Sequence, residues 1–119
     1  MIKTIIINLK KKSVIRHVER MGFPEFKDRC NIVRKHIIFS GKVQRVGFRI
    51  ELYCIADLLG LTGYVSNCKN GDVQAEMQGE SARIEYLIKV MNSIKRIKII
   101  NIISKEISII HNEIEFKIK

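Results

Sequence analysis

Long apolar runs are missing from this chain of 119 residues. Crossing a bilayer as a helix takes ~20 consecutive apolar residues, and stretches such as Ile5-Ile6-Ile7-Asn8-Leu9 are far shorter. That stretch is also too short for a secretory leader and has no small-residue cleavage site after it, so a cytoplasmic protein is expected. Cysteine is scarce. Cys30, Cys54 and Cys68 form an odd set with no Cys-x-x-Cys pair and no histidine at ligand spacing, which argues against a disulfide framework or a zinc site and for free, inert thiols. His17, His36 and His111 are scattered and are assigned to no metal or catalytic relay. Aromatic residues make up only 7% of the chain and are not interleaved with basic residues along any strand. A base-stacking platform for nucleic acid is therefore not expected. Acidic residues are also few, 12 against 22 Lys and Arg, and the imbalance is uneven: residues 1–35 carry a net +7 and residues 36–119 a net +3. The charge points to an anionic partner and no further.

What the chain does have is a composition of 46% apolar and 29% charged residues, enough for one domain with a real core and a short basic appendage. The division expected is an N-terminal extension over residues 1–34 and a domain over 35–119. In the extension, Ile2 to Leu9 is β-branched and reads as a strand ended by Lys10-Lys11-Lys12. A helix of about two turns then starts at Ser13, with Val14, Ile15, Val18 and Met21 at helical spacing and Gly22 as its stop. Phe23 and Phe26 read as apolar anchors in a linker running to Arg34. The extension is expected to dock on the domain, with a membrane- or partner-contacting arm (the membrane contact through residues 1–26) or a mobile segment as the alternatives.

The domain is organised around Gly41-Lys42-Val43-Gln44-Arg45-Val46-Gly47-Phe48-Arg49. A strand over Lys35 to Ser40 leads into this loop, and a helix from about Phe48 to Leu59 leaves it. A helix N-terminus is an anion trap, because its first N–H groups have no partner within the helix and the aligned peptide dipoles add positive potential. Arg49 adds a permanently charged guanidinium that can grip two phosphate oxygens at once. Further along, strands are expected over Leu61 to Cys68 and Asp72 to Gln78, joined by a hairpin at Asn70-Gly71. A helix from about Ser81 to Ser93 carries Ile84, Leu87, Ile88 and Met91 as its apolar stripe. Strand regions over Arg96 to Ile110 and Glu113 to Lys119 close the chain. This order is the split βαβ plan, a ferredoxin-like α+β sandwich with two helices on one face of an antiparallel sheet of four to five strands. A right-handed crossover makes the first two strands parallel. Their C-terminal ends then share one sheet edge, which brings Asn67 towards Arg49.

Gly-x-Val-Gln-x-Val-Gly-Phe-Arg at residues 41–49, followed by Gly63-Tyr64-Val65-Ser66-Asn67 and Asn70-Gly71-Asp72-Val73, resembles the paired signatures of the acylphosphatases, which hydrolyse the carboxyl-phosphate bond. The resemblance covers residues 35–119. It implies a metal-independent hydrolase with no cofactor, in which Arg49 and Asn67 are catalytic and Lys42, Val43, Gln44, Arg45, Val46, Gly47 and Phe48 bind the phosphoryl group. It further implies an acyl phosphate substrate, inorganic phosphate or sulfate as a site ligand, and a monomer. Arg45 departs from the pattern, since the family commonly has Gly there; a positive φ at that position would strain an arginine by roughly 1–2 kcal/mol. Tyr64 stands for a usual Trp, and Ser66 for a frequent basic residue. The other reading is a non-catalytic anion- or nucleic-acid-binding module that uses the basic N-terminal third as its contact surface.

Overall fold

The structure is a computed structural model describing residues 2–26 and 31–119; the free-thiol expectation for Cys30 lies outside these residues. Five strands form one sheet in the order β4-β1-β3-β2-β5. They are β1 (Ile32–Lys42), β2 (Thr62–Asn67), β3 (Val73–Glu80), β4 (Lys98–Ile107) and β5 (Phe116–Ile118), and the helices are α1 (Ile2–Met21), α2 (Phe48–Leu58) and α3 (Ser81–Asn92). Both β1 and β2 pair antiparallel with β3, so they run parallel to each other with β3 between them, as the crossover requires. β4 adds antiparallel to the outside of β1, and β5 adds parallel to β2.

Alternation sets the layers. Ile37 and Phe39 on β1, Val65 on β2 and Val73, Ala75 and Met77 on β3 are buried against Phe48, Leu52 and Ile55 of α2 and Ile84, Leu87 and Met91 of α3. The intervening residues face the other side. There Arg34, 1% exposed, donates to Glu76 at 2.9 Å and Glu113 at 2.8 Å, and Tyr64 donates to Glu76 at 3.0 Å. The chain after β4 covers part of this polar face, with Ile110 N–H donating to Gln78 Oε1 and Gln78 Nε2 returning a bond to the Ile110 carbonyl, both at 2.9 Å.

The N-terminal region differs from expectation. Residues 2–21 form one continuous helix of 20 residues rather than a strand followed by a short helix. Each β-branched residue lowers helix propensity by only a few tenths of a kcal/mol, and no Gly or Pro interrupts the run before Gly22. Burial then decides the outcome. Val14 and Val18 are 2% and 3% exposed, Ile7 packs beside them, and together they give α1 a face against the outer side of the α2 and α3 layer. The extension thus adds a third layer on the helices and leaves the polar sheet face to the chain after β4. Lys11 pairs with Asp57 at 3.0 Å, His17 shares a hydrogen bond with Ser93 at 2.7 Å, and Phe23 and Phe26 pack edge-on against Tyr86. Cys54 lies under α1, where burial pushes its thiol up to about 11, leaving it protonated and inert at neutral pH. Among the described residues no helix is long and apolar enough to cross a membrane.

Candidate active site

β1 extends to Lys42, two residues further than expected, because the edge strand β4 pairs with it through a bulge between Ser40 and Gly41. At Gly41, φ is 125° and a Cβ would collide with the Lys98 carbonyl oxygen. This glycine therefore admits close approach of β4 rather than an anion. Lys42 sits in the ladder opposite Lys98 and outside the cleft that follows.

Residues 43–47 turn the chain into α2. Gly47 is the N-cap residue, with φ 75° and ψ 21° and no side-chain capping bond. A left-handed N-cap without a capping side chain leaves the first-turn N–H groups of α2 open to an external acceptor. Arg45 has φ 62°, so the position where the resemblance has Gly does take the left-handed conformation, with a strain of about 1 kcal/mol for a side chain there. The loop is braced through Gln44, whose Nε2 donates to the Cys68 carbonyl at 2.8 Å and the Asp72 carbonyl at 2.7 Å. The side chain of Gln44 thereby ties the loop to the β2–β3 hairpin. That hairpin is fixed in turn by Asn70 Oδ1, which accepts from the Asp72 N–H at 3.0 Å.

A cleft of about 190 Å³ opens between these parts, lined by Val43, Gln44, Arg45, Gly47, Phe48, Arg49, Ile50, Asn67 and Ile118. Arg49 and Asn67 meet there despite their separation along the chain. Asn67 shares the helix-side face of β2 with buried Val65 but lies at the strand's end, beyond the cover of α2, where it is exposed. Of the residues expected to bind the phosphoryl group, Lys42 and Val46 lie outside this lining; the half-buried side chain of Val46 packs on the core instead. Buried Phe48 packs against Phe39, with ring centroids 5.0 Å apart and planes tilted by 58°, and anchors the first turn of α2.

Other contributors were not legible from the motifs. Arg49 Nη1 donates to a main-chain oxygen of Lys119 at 3.1 Å, and Ile118 of β5 forms one wall. Arg96, just before β4, donates through Nε to the Val46 carbonyl at 2.7 Å and through Nη2 to Glu51 at 2.8 Å. No local pattern marks Arg96; only the β4 to β1 pairing brings it to the loop. Among the described residues there is no cluster of three or more potential metal-ligating side chains. The arrangement suits a tetrahedral anion, with backbone donors and one guanidinium on one side and a carboxamide on the other.

The family model for acylphosphatase matches residues 35–118. The chain belongs to the acylphosphatase family. An acylphosphatase of Clostridium perfringens is 36% identical over 86 residues, covering 71% of this chain and 97% of that protein. One of Bifidobacterium longum is 45% identical over 60 residues, covering 50% of this chain and 62% of that relative. Among solved structures, the acylphosphatase from Bacillus subtilis superposes with a TM-score of 0.67 at 28% identity, over 73% of this chain and 98% of that one. The acylphosphatase from Coxiella burnetii gives 0.67 at 29% identity, over 80% and 100%. The fold is thus the ferredoxin-like acylphosphatase fold, and acyl phosphate hydrolysis is the reaction class that membership carries. The α1 helix precedes the matched residues.

Proposed function

We propose that the cleft between residues 43–49 and Asn67 is the phosphoryl site of an acyl phosphate hydrolase and that Arg49 and Asn67 are its catalytic residues. The observation carrying this reading is their convergence on one cleft at an α-helix N-terminus that has no side-chain cap. The phosphoryl group sits against the N–H groups at the start of α2, and Arg49 spans its oxygens. Both sets of donors favour the charge that spreads over those oxygens in the transition state. The Asn67 carboxamide, both donor and acceptor, holds a water in line with the P–O bond to the acyl oxygen. As the water oxygen bonds to phosphorus, the P–O bond to the acyl group breaks and the carboxylate leaves with the electron pair. The water's proton passes to a phosphoryl oxygen. An acyl phosphate is a mixed anhydride with a good leaving group, so no dedicated general base is assigned. The acyl group projects to the cleft mouth, past Arg45.

Three of the cations in the basic N-terminal third, Lys10, Lys11 and Arg34, are committed to Glu51, Asp57 and the pair Glu76 and Glu113. This favours the catalytic reading over a nucleic-acid contact surface. We further propose a cytoplasmic monomer, which light scattering on the purified chain and cell fractionation check. The deciding experiment incubates the protein with benzoyl phosphate, with and without a chelator, and follows phosphate release. Turnover is expected in both. Absence of turnover at all, or wild-type turnover in Asn67→Ala where a loss of roughly 10² is expected, would sink this reading.

A further inference from the structure

A backbone cup binds an anion only if its N–H groups face inward, and each peptide unit then turns its carbonyl outward. In the trans peptide joining Val46 to Gly47, the carbonyl and the N–H point in opposite directions. Arg96 holds that carbonyl from outside at 2.7 Å. The Gly47 N–H is thereby aimed away from Arg96, and Gly47 itself lines the cleft. Arg96 is not free to swing, because its Nη2 is bonded at 2.8 Å to the carboxylate of Glu51, which is 4% exposed.

Glu51 is an awkward residue for an anion site. It lies in the first turn of α2, where a carboxylate competes with a phosphoryl group for the positive helix end. Two cations neutralise it: Arg96 and, at 3.1 Å, Lys10. Lys10 belongs to α1, which lies outside the residues that match the family.

We infer that Arg96 is a positioning residue for the phosphoryl-binding loop and that α1 acts on the same loop through Lys10 and Glu51. This rests on the proposed phosphoryl site and assigns the N-terminal helix a part in holding it. When α1 is docked, Lys10 shares the charge of Glu51 and leaves the carboxylate matched by two cations. When that contact is lost, Arg96 is the one remaining cation on Glu51 among the described residues and is drawn more strongly to it, at the expense of the Val46 carbonyl.

The test uses the full chain and inorganic phosphate as the probe. Phosphate affinity is measured by titration calorimetry and benzoyl phosphate turnover separately, both well below each variant's melting temperature. Arg96→Gln is expected to weaken phosphate binding roughly tenfold, the usual worth of a hydrogen bond to a charged group. Lys10→Met is expected to weaken it about threefold, Lys10→Arg to restore it, and the two losses to be non-additive in the Lys10→Met, Arg96→Gln double variant, because both act through one carboxylate. A purely structural contact would lower the melting temperature without moving phosphate affinity. Folded Arg96→Gln with affinity within a factor of two of wild type overturns the positioning role; should that variant not fold, unchanged affinity in Arg96→Lys, which keeps a cation but cannot hold both partners, overturns it. An unchanged affinity in Lys10→Met, or a loss fully additive with that of Arg96→Gln, overturns the link to α1. Failure of hydrolysis in the wild type would instead count against the catalytic reading, since calorimetry reads the loop independently of turnover.

Discussion

Two arginines flank the same strand and have opposite fates. Arg34, near the start of β1, is 1% exposed and faces the carboxylates of Glu76 and Glu113. Burial alone would disfavour its charge, but the bonds to Glu113 and Glu76 outweigh that and raise its pKa above the ordinary arginine value. Arg49, past the other end of β1, is half-buried, donates to a main-chain oxygen of Lys119 and pairs with no Asp or Glu side chain among the described residues. A guanidinium matched by carboxylates is part of the scaffold, because an incoming anion would have to displace them. One with no side-chain carboxylate against it among the described residues has no such competitor to displace and attracts an anion to the cleft it lines. A cation matched by carboxylates thus lies at one end of β1, and one without a side-chain carboxylate partner among the described residues lies in the first turn of α2 beyond the other end.

The largest effect that would sharpen this contrast is on stability. Arg34→Gln leaves two partly buried carboxylates facing each other and should cost roughly 3 kcal/mol of unfolding free energy, read as a lower urea midpoint. Turnover per folded molecule should stay near wild type. Next is Arg49→Gln, for which a fall in kcat of roughly 10² or more is expected, with the urea midpoint nearly unchanged. Were Arg49→Gln to lose more stability than Arg34→Gln, or Arg34→Gln to lose turnover in step with Arg49→Gln, the division of roles would be wrong.

A pH titration breaks the comparison more finely. Burial would raise the Glu113 carboxyl, yet hydrogen bonds from Arg34 and Thr62 and the nearby charges of Arg34 and Lys117 outweigh it, so the group titrates below its ordinary value of 4.5. A carboxyl depressed on folding contributes stability that is present above its unfolded pKa and lost as pH falls through the folded one. Wild type should therefore exceed Glu113→Gln in urea midpoint at neutral pH and converge with it below pH 4.5. A constant gap between the two curves down to acid pH would mean that the charge of Glu113 contributes nothing there.

The sequence shows where its physics is local and hides what is assembled from afar. The strand-loop-helix at 35–59 and the Asn70-Gly71 hairpin were readable because glycine placement and alternation are short-range signals. Asn67 beside Arg49 was readable from topology. The Gln44 brace, the Arg96 bond to Val46 and the Arg49 bond to the main chain of Lys119 were not, because each joins segments 24 or more residues apart with no motif of its own. The run from Ile2 to Leu9 misled for a related reason. Its β-branched residues favour a strand when taken alone, and only burial of Ile7, Val14 and Val18 against the α2 and α3 layer holds them in a helix.

The smallest effect expected is at Arg45, where the two kinds of arginine meet a third. It is exposed at the cleft mouth with φ 62°, and no salt bridge involves it among the described residues. Arg45→Gly removes a strain of about 1 kcal/mol but adds freedom to the unfolded chain, of about 0.5–1 kcal/mol. The melting temperature should therefore hardly move. What should move is salt dependence. A cation at the mouth attracts the anionic substrate only while its field is unscreened, and the Debye length falls from about 10 Å at 0.1 M salt to about 3 Å at 1 M. KM for benzoyl phosphate is expected to rise about two- to threefold in Arg45→Gly at low salt and to converge with wild type at high salt. A KM gap that persists at 1 M salt would place Arg45 in direct contact with the bound phosphoryl group, and the difference between it and Arg49 would then be one of degree.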